Sequence, residues 1–119
     1  METIKVEFED GNWWEILSVY TVGMAKAIAP IQAKVVNYEE IKDAVDNEKP
    51  IPLMRDAEGN DMTFLITQEL VFAATRNWSY GEVNREVFDE IPLAHYFDVA
   101  RKVDELNSSL PLVRKTGGD

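Results

Sequence analysis

The first apolar positions of the chain alternate. Ile4, Val6 and Phe8 are separated by Lys5, Glu7 and Glu9, the period of two that marks a half-buried strand. Asp10-Gly11-Asn12 is a turn signal, so Trp13 to Leu17 is read as the return strand of a β-hairpin. Trp14 and Ile16 share one face of it, and Trp13, Glu15 and Leu17 the other. From Thr21 the period lengthens. Thr21 is placed to cap a helix from Val22, whose apolar side carries Met24, Ala25, Ala27, Ile28, Ile31, Val35 and Val36. Pro30 lacks a backbone donor and is expected to kink or restart that helix. Asn37 and Glu40 have capping-box spacing, and they open a helix over 38–47 with Ile41, Ala44 and Val45 inward. Residues 48–61 hold Pro50, Pro52, Gly59 and a polar cluster. They read as a loop, with room for a short strand at Ile51–Met54.

The longest apolar-rich run is Thr63 to Tyr80, which contains no Gly or Pro. Its apolar positions have helical spacing, on an arc too wide for a one-sided surface helix. This predicts a central core helix over 63–78, about 24 Å long at about 1.5 Å per residue. Thr67, Gln68 and Glu69 interrupt it, so it is no membrane span. Gly81 marks a turn. Asn84 then caps a short helix over 85–90, with Val83 and Phe88 at the spacing of a hydrophobic staple. Ile91 is steered out of helical angles by Pro92, and Pro92 suits the start of a last helix over 93–107. That helix places Leu93, Tyr96, Phe97, Val99, Ala100, Val103 and Leu106 on one side. The expected fold is mainly α with a small N-terminal β-hairpin, an α+β class. A compact single globular domain, 1–108, is built on the central apolar helix, and 109–119 form a flexible C-terminal tail.

Composition narrows the possible functions. The chain has 119 residues, enough for one core. With no Cys, disulfides and cysteine metal sites are excluded. The formal charge is −10, from 22 acidic and 12 basic residues. Such a chain repels nucleic acid and favours basic or neutral protein partners. No signal or transit pattern is visible near the start, so the expected compartment is the cytosol.

The search for chemistry returns mostly exclusions. His95 is the single His, and no nucleophile elbow accompanies it; it reads as an ordinary helix residue. Asp56, Glu58, Asn60 and Asp61 suggest a calcium loop, but Gly59 and Glu69 fall out of register. A solvated acidic loop is the better reading. No phosphate loop is present. No catalytic, cofactor-binding or metal-binding residue is expected, and no cofactor.

Several features in order carry a resemblance: Asp10-Gly11 ahead of Trp13 and Trp14, the Thr21-Val22-Gly23-Met24 helix start, FLITQELVFAATRNWS (64–79) and VNREVFDEIPLAHYFDVARKVDEL (83–106). Asn84 stands at a capping place and Ile91-Pro92 at a stop. The chain in these segments resembles the tail assembly chaperones of long-tailed bacteriophages. The resemblance implies a non-enzymatic, largely helical, self-associating protein of the bacterial host cytoplasm. Such proteins coat the helical tape measure protein, touch tail tube subunits and leave before the virion is complete. Many are made in two forms, the longer by a ribosomal frameshift. Two other readings stay open. One is a structural virion component, such as a head–tail joining or tube-associated protein. The other is a small acidic inhibitor or immunity-type protein.

A partner surface is expected where aromatic residues exceed what one small core can cover. A two-stranded ribbon with apolar residues on both faces leaves one face for another chain. The expected partner-binding residues are therefore Trp13, Leu17, Trp78 and Tyr80, although core packing is the plain reading for Trp14 and Trp78. The partners expected are the tape measure and tail tube proteins and a second copy of the chain, with no nucleic acid and no membrane.

Overall fold

In a computed structural model, residues 2–107 are described. The expected domain end at 108 and the expected tail, 109–119, lie outside the described residues. The chain begins with the predicted hairpin. Strand β1 (Thr3–Glu7) pairs antiparallel with β2 (Trp13–Leu17), from Thr3 opposite Leu17 to Glu7 opposite Trp13. The turn is set by Asp10, whose carboxylate accepts from the Asn12 backbone N–H at 2.9 Å. Gly11 follows at φ +92°, a left-handed angle that glycine adopts without strain. Ile4, Val6, Trp14 and Ile16 lie on the inner face by the alternation of the strands.

Helix α1 (Val22–Gln32) is capped as expected, with the Thr21 hydroxyl accepting from the Met24 N–H at 3.2 Å. It runs through Pro30 and stops two residues later at Gln32, so no second helix restarts there. Helix α2 (Tyr38–Asp46) follows Asn37, whose side chain makes no cap bond. Instead the Asn37 amide donates to the Leu53 carbonyl at 2.8 Å and accepts from the Arg55 N–H at 2.9 Å. It works as a clip that holds the 48–61 loop against the start of α2. In α2, Ala44 is buried but Val45, expected inward, is exposed. No strand forms at Ile51–Met54; the backbone pairing is an isolated bridge between Arg55 and Asp61.

Helix α3 (Thr63–Ala74) is central, packing on both α1 and the last helix of the described residues and touching β2. It buries Ile66, Leu70, Val71 and Ala74. The structure corrects its predicted end. The helix does not run on to Trp78; at Thr75 the backbone becomes extended, and Thr75–Trp78 form strand β3. Strand β3 pairs with β2, so the sheet has three strands in the order β1-β2-β3. Trp14 lies opposite Trp78 and Ile16 opposite Thr75, with a bulge that leaves Arg76 unpaired. The extra residue lets Thr75 and Trp78, three apart, both face the core. Both are buried, while Arg76 and Asn77 are exposed.

Thr75 explains why the helix ends there. Its hydroxyl donates to the Val71 carbonyl at 2.8 Å and accepts from the Trp14 indole N–H at 2.9 Å. Thr75 is the buried polar residue of the core among the described residues. Helix α4 (Arg85–Asp89) has the predicted cap, Asn84 accepting from the Val87 N–H at 2.9 Å. The expected staple does not close over it, because Val83 stays exposed. Phe88 is buried among aromatic rings instead, with Trp14, Phe72, Trp78 and Tyr96 between 5.2 and 6.4 Å from it, centroid to centroid. Helix α5 (Leu93–Asn107) starts after Pro92, whose carbonyl accepts from the His95 and Tyr96 N–H groups. Tyr96, Val99 and Val103 bury its inner side.

Two substitutions test this core. Thr75→Val keeps the shape but strands the indole N–H, and is expected to cost about 1–3 kcal/mol in urea melts. Phe88→Ala empties the aromatic cluster and is expected to cost about 3–5 kcal/mol. A loss below about 1 kcal/mol for Phe88→Ala would reject the burial.

Candidate functional site

The expected partner surface divides into two parts. Leu17 and Trp78 are core residues, 2% and 3% exposed, and cannot anchor another chain. Trp78 is turned inward by the β3 bulge. Leu17 lies past Ile16, the last β2 residue paired with β3, and joins the core as the chain turns toward α1. Trp13 and Tyr80 are partly covered. The Lys5 ammonium sits over the Trp13 ring, 4.5 Å from its centroid.

The structure joins Tyr80 to His95, which reads in sequence as an ordinary helix residue. Its hydroxyl lies 2.7 Å from His95 Nδ1, and His95 Nε2 lies 3.2 Å from an Asp10 carboxylate oxygen. Phe8 stacks on the imidazole at 4.0 Å, nearly parallel. The carboxylate can only accept, so Nε2 carries the proton toward Asp10. In the neutral ring Nδ1 then accepts from the Tyr80 O–H. The chain Tyr80–His95–Asp10 ties three distant places together: the hairpin turn, the turn after β3, and α5.

The order of groups resembles a hydrolase relay, but with a phenol where a nucleophile would stand. Burial, and next the Asp10 charge, push the Tyr80 hydroxyl up to about 12. With its proton in place at neutral pH, the Tyr80 hydroxyl donates the hydrogen bond that His95 accepts. Ser79 is engaged elsewhere, with Asn12 and the Trp13 backbone. The geometry therefore acts as a clasp. No residue spacing pointed to it, because Asp10, Tyr80 and His95 are far apart in the chain.

The acidic 56–61 loop is a turn built on Asp56. That carboxylate accepts from the N–H groups of Glu58 and Asn60 and from the Asn60 side chain, at 2.8 to 3.0 Å. Its oxygens are occupied by the turn. Among the described residues no group of three or more acidic or His side chains is placed to hold a metal ion. No helix among them is long and apolar enough to cross a membrane.

The remaining site is a groove where α3 meets α5. Two recesses share Phe64 and Tyr96. One, of about 140 Å³, extends to Phe88, Ile91 and Leu93. The other, of about 250 Å³, reaches Leu53, Phe97 and Ala100. Phe64 and Phe97 are about half exposed, at 47% and 49%, and Leu53 and Leu93 are exposed as well. The Phe64 ring meets Tyr96 edge-on at 5.8 Å. Tyr96 itself is buried, and its hydroxyl makes no hydrogen bond. Burial pushes that hydroxyl up to about 12. Sequence reading had placed Tyr96 and Phe97 on the apolar side of α5; the missed signal was Phe64 and Leu65 extending the apolar arc of α3 past what its neighbours cover.

No protein-family model, curated protein or solved structure matches this chain.

The two raised phenols give an alkaline prediction. In the unfolded chain tyrosine ionises near about 10, below the folded values of about 12 for Tyr80 and Tyr96. The unfolded state thus loses its protons first, and stability present below pH about 10 falls as pH rises toward about 12. Urea melts across that range should show the fall, and Tyr80→Phe should make it shallower. A stability independent of pH there would reject the raised values.

Proposed function

We propose that the protein is a non-enzymatic assembly chaperone that keeps an apolar helical client soluble through weak, reversible contacts. By its resemblance, the client is a phage tape measure protein, with tail tube subunits as a second partner, in the cytoplasm of a bacterial host. The observation that supports this reading best is the exposed cluster of Phe64, Leu93, Phe97 and Leu53 on a domain of formal charge −10. Apolar side chains gathered in this way mark an interaction site. Strong net charge keeps a protein soluble and limits its own aggregation.

The expected working surface moves accordingly. The hairpin face keeps only Trp13 and Tyr80, both partly covered, so the α3–α5 groove is the better seat for a client. Self-association remains part of the reading, since the unpaired edge of β1 can add a strand.

The test is co-expression with the long, helix-rich reading frame expected next to this one. The client should become soluble and co-purify, and purified virions should lack this chain by mass spectrometry. Recovery of the chain in virions in fixed proportion would replace the chaperone reading with a structural role. A client equally soluble without the chain would reject both.

A further inference from the structure

We propose that the α3–α5 groove binds a cationic amphipathic helix, with its apolar stripe on Phe64 and Phe97 and its Lys or Arg side chains against an acidic rim. The proposal deepens the chaperone reading, and rests on it only for the partner's identity.

The floor comes first. Positions 64, 67 and 68 of α3 and 93, 96, 97 and 100 of α5 line the adjoining recesses. These are helical spacings of three and four, so each helix offers a ridge and the space between them is a groove. A third helix seats its own apolar residues in such a groove at the same spacing. The rim comes second. Asp89 lines the recess near Leu93, Asp61 the one near Leu53, and Asp104 lies beside Phe97 and Ala100. The cation at that edge, Arg101, is bonded to Asp98 at 3.2 Å. With a chain charge of −10, the rim attracts a cationic partner and repels a second copy of this chain.

Tyr96 closes the floor. It lines both recesses, it is 6% exposed, and its hydroxyl has no hydrogen-bond partner. A buried polar group left unpaired costs stability. Phenylalanine would fill the same space without that cost. The hydroxyl is itself sealed from solvent, so Tyr96 contributes its ring, not its hydroxyl, to the floor of the groove.

The probe is a synthetic Leu–Lys helical peptide of about five turns, with a Leu–Glu peptide of the same pattern as control, and binding read by calorimetry. The Leu–Lys peptide should bind, and more weakly as salt rises from about 0.05 to 0.3 M. The Leu–Glu peptide should not bind. Phe64→Ser with Phe97→Ser should weaken binding about tenfold or more, while Val36→Ser, an exposed apolar residue outside the groove, should change nothing. If the double variant does not fold, Phe97→Ser alone carries the comparison. Equal binding of the Leu–Glu peptide or unchanged binding by the Phe variants would each overturn the proposal. So would a wild-type dimer that the Phe variants dissociate, since the occupant would then be a second copy. Client solubilisation separates the two readings. If the wild type binds the Leu–Lys peptide but does not solubilise the tape measure client, the groove stands and the chaperone reading falls. If solubilisation survives the Phe variants, the reverse holds.

Discussion

One hydroxyl governs the layout of the core. Thr75 gives its proton to the Val71 carbonyl and takes one from the Trp14 indole, across residues 61 apart in sequence. The first bond closes the last turn of α3; the second locks the largest ring of the core in one orientation. Each is a neutral hydrogen bond with a modest net contribution. Their weight lies in the alternative, a buried indole N–H and a helix-end carbonyl with nowhere to go. Once Thr75 is extended, the residues after it become a third strand, and the bulge at Arg76 brings Trp78 inward against Trp14 at 5.3 Å, edge to face. Phe88 stacks on Trp78, so α4 takes its place from the same origin.

This constraint also decides what could be read from sequence. Thr21, Asn84 and Pro92 were legible because capping is local: one side chain meets a backbone group three residues away, or a ring fixes its own dihedral. Strand β3 was not. Leu70, Ala74 and Trp78 are four apart, so the helical period continues unbroken through a region that is no longer helical. The pairing with β2 decides, and it is remote in the chain. Thr75 and Asn77, poor helix formers, were the weak local hint. Leu17 failed for a related reason. Alternation assigns a face but not what covers it, and Leu17, still opposite Thr3 in β1 but past the last β2–β3 pair, joins the buried core. Asn37 shows a third kind of miss. Its spacing to Glu40 fits a capping box, but the amide instead bridges to Leu53 and Arg55, beside the bond from the Val36 N–H to the Arg55 carbonyl that holds the same loop.

The candidate site was half legible. Helical spacing marked Tyr96 and Phe97 as one side of α5, but not that only Tyr96 is covered. The difference arises because α5 meets α3 along Tyr96, Val99 and Val103, while Phe97 lies one step around the helix, toward solvent. The Tyr80–His95–Asp10 clasp was illegible, because a single His shows its partners only in three dimensions.

The aromatic residues fall into two groups with opposite bookkeeping of polar atoms. Around Trp14 every polar end is satisfied: Trp14 by Thr75, Trp78 by the Glu82 carbonyl, Tyr80 by His95. That cluster is sealed, and its rings add stability by edge-to-face contact as well as burial. Around Tyr96 the pattern breaks, with one hydroxyl buried and unpaired and two phenyl rings, Phe64 and Phe97, left half in water. Phe88 touches both groups, 6.0 Å from Trp14 and 6.1 Å from Tyr96. The open face is therefore backed by the sealed aromatic cluster around Trp14. A floor fixed in this way loses little conformational freedom when it is covered. Repulsion between two domains of charge −10 disfavours covering it with a second copy. In the proposed docking of a cationic helix, the charge selects the partner and the aromatic floor supplies the affinity.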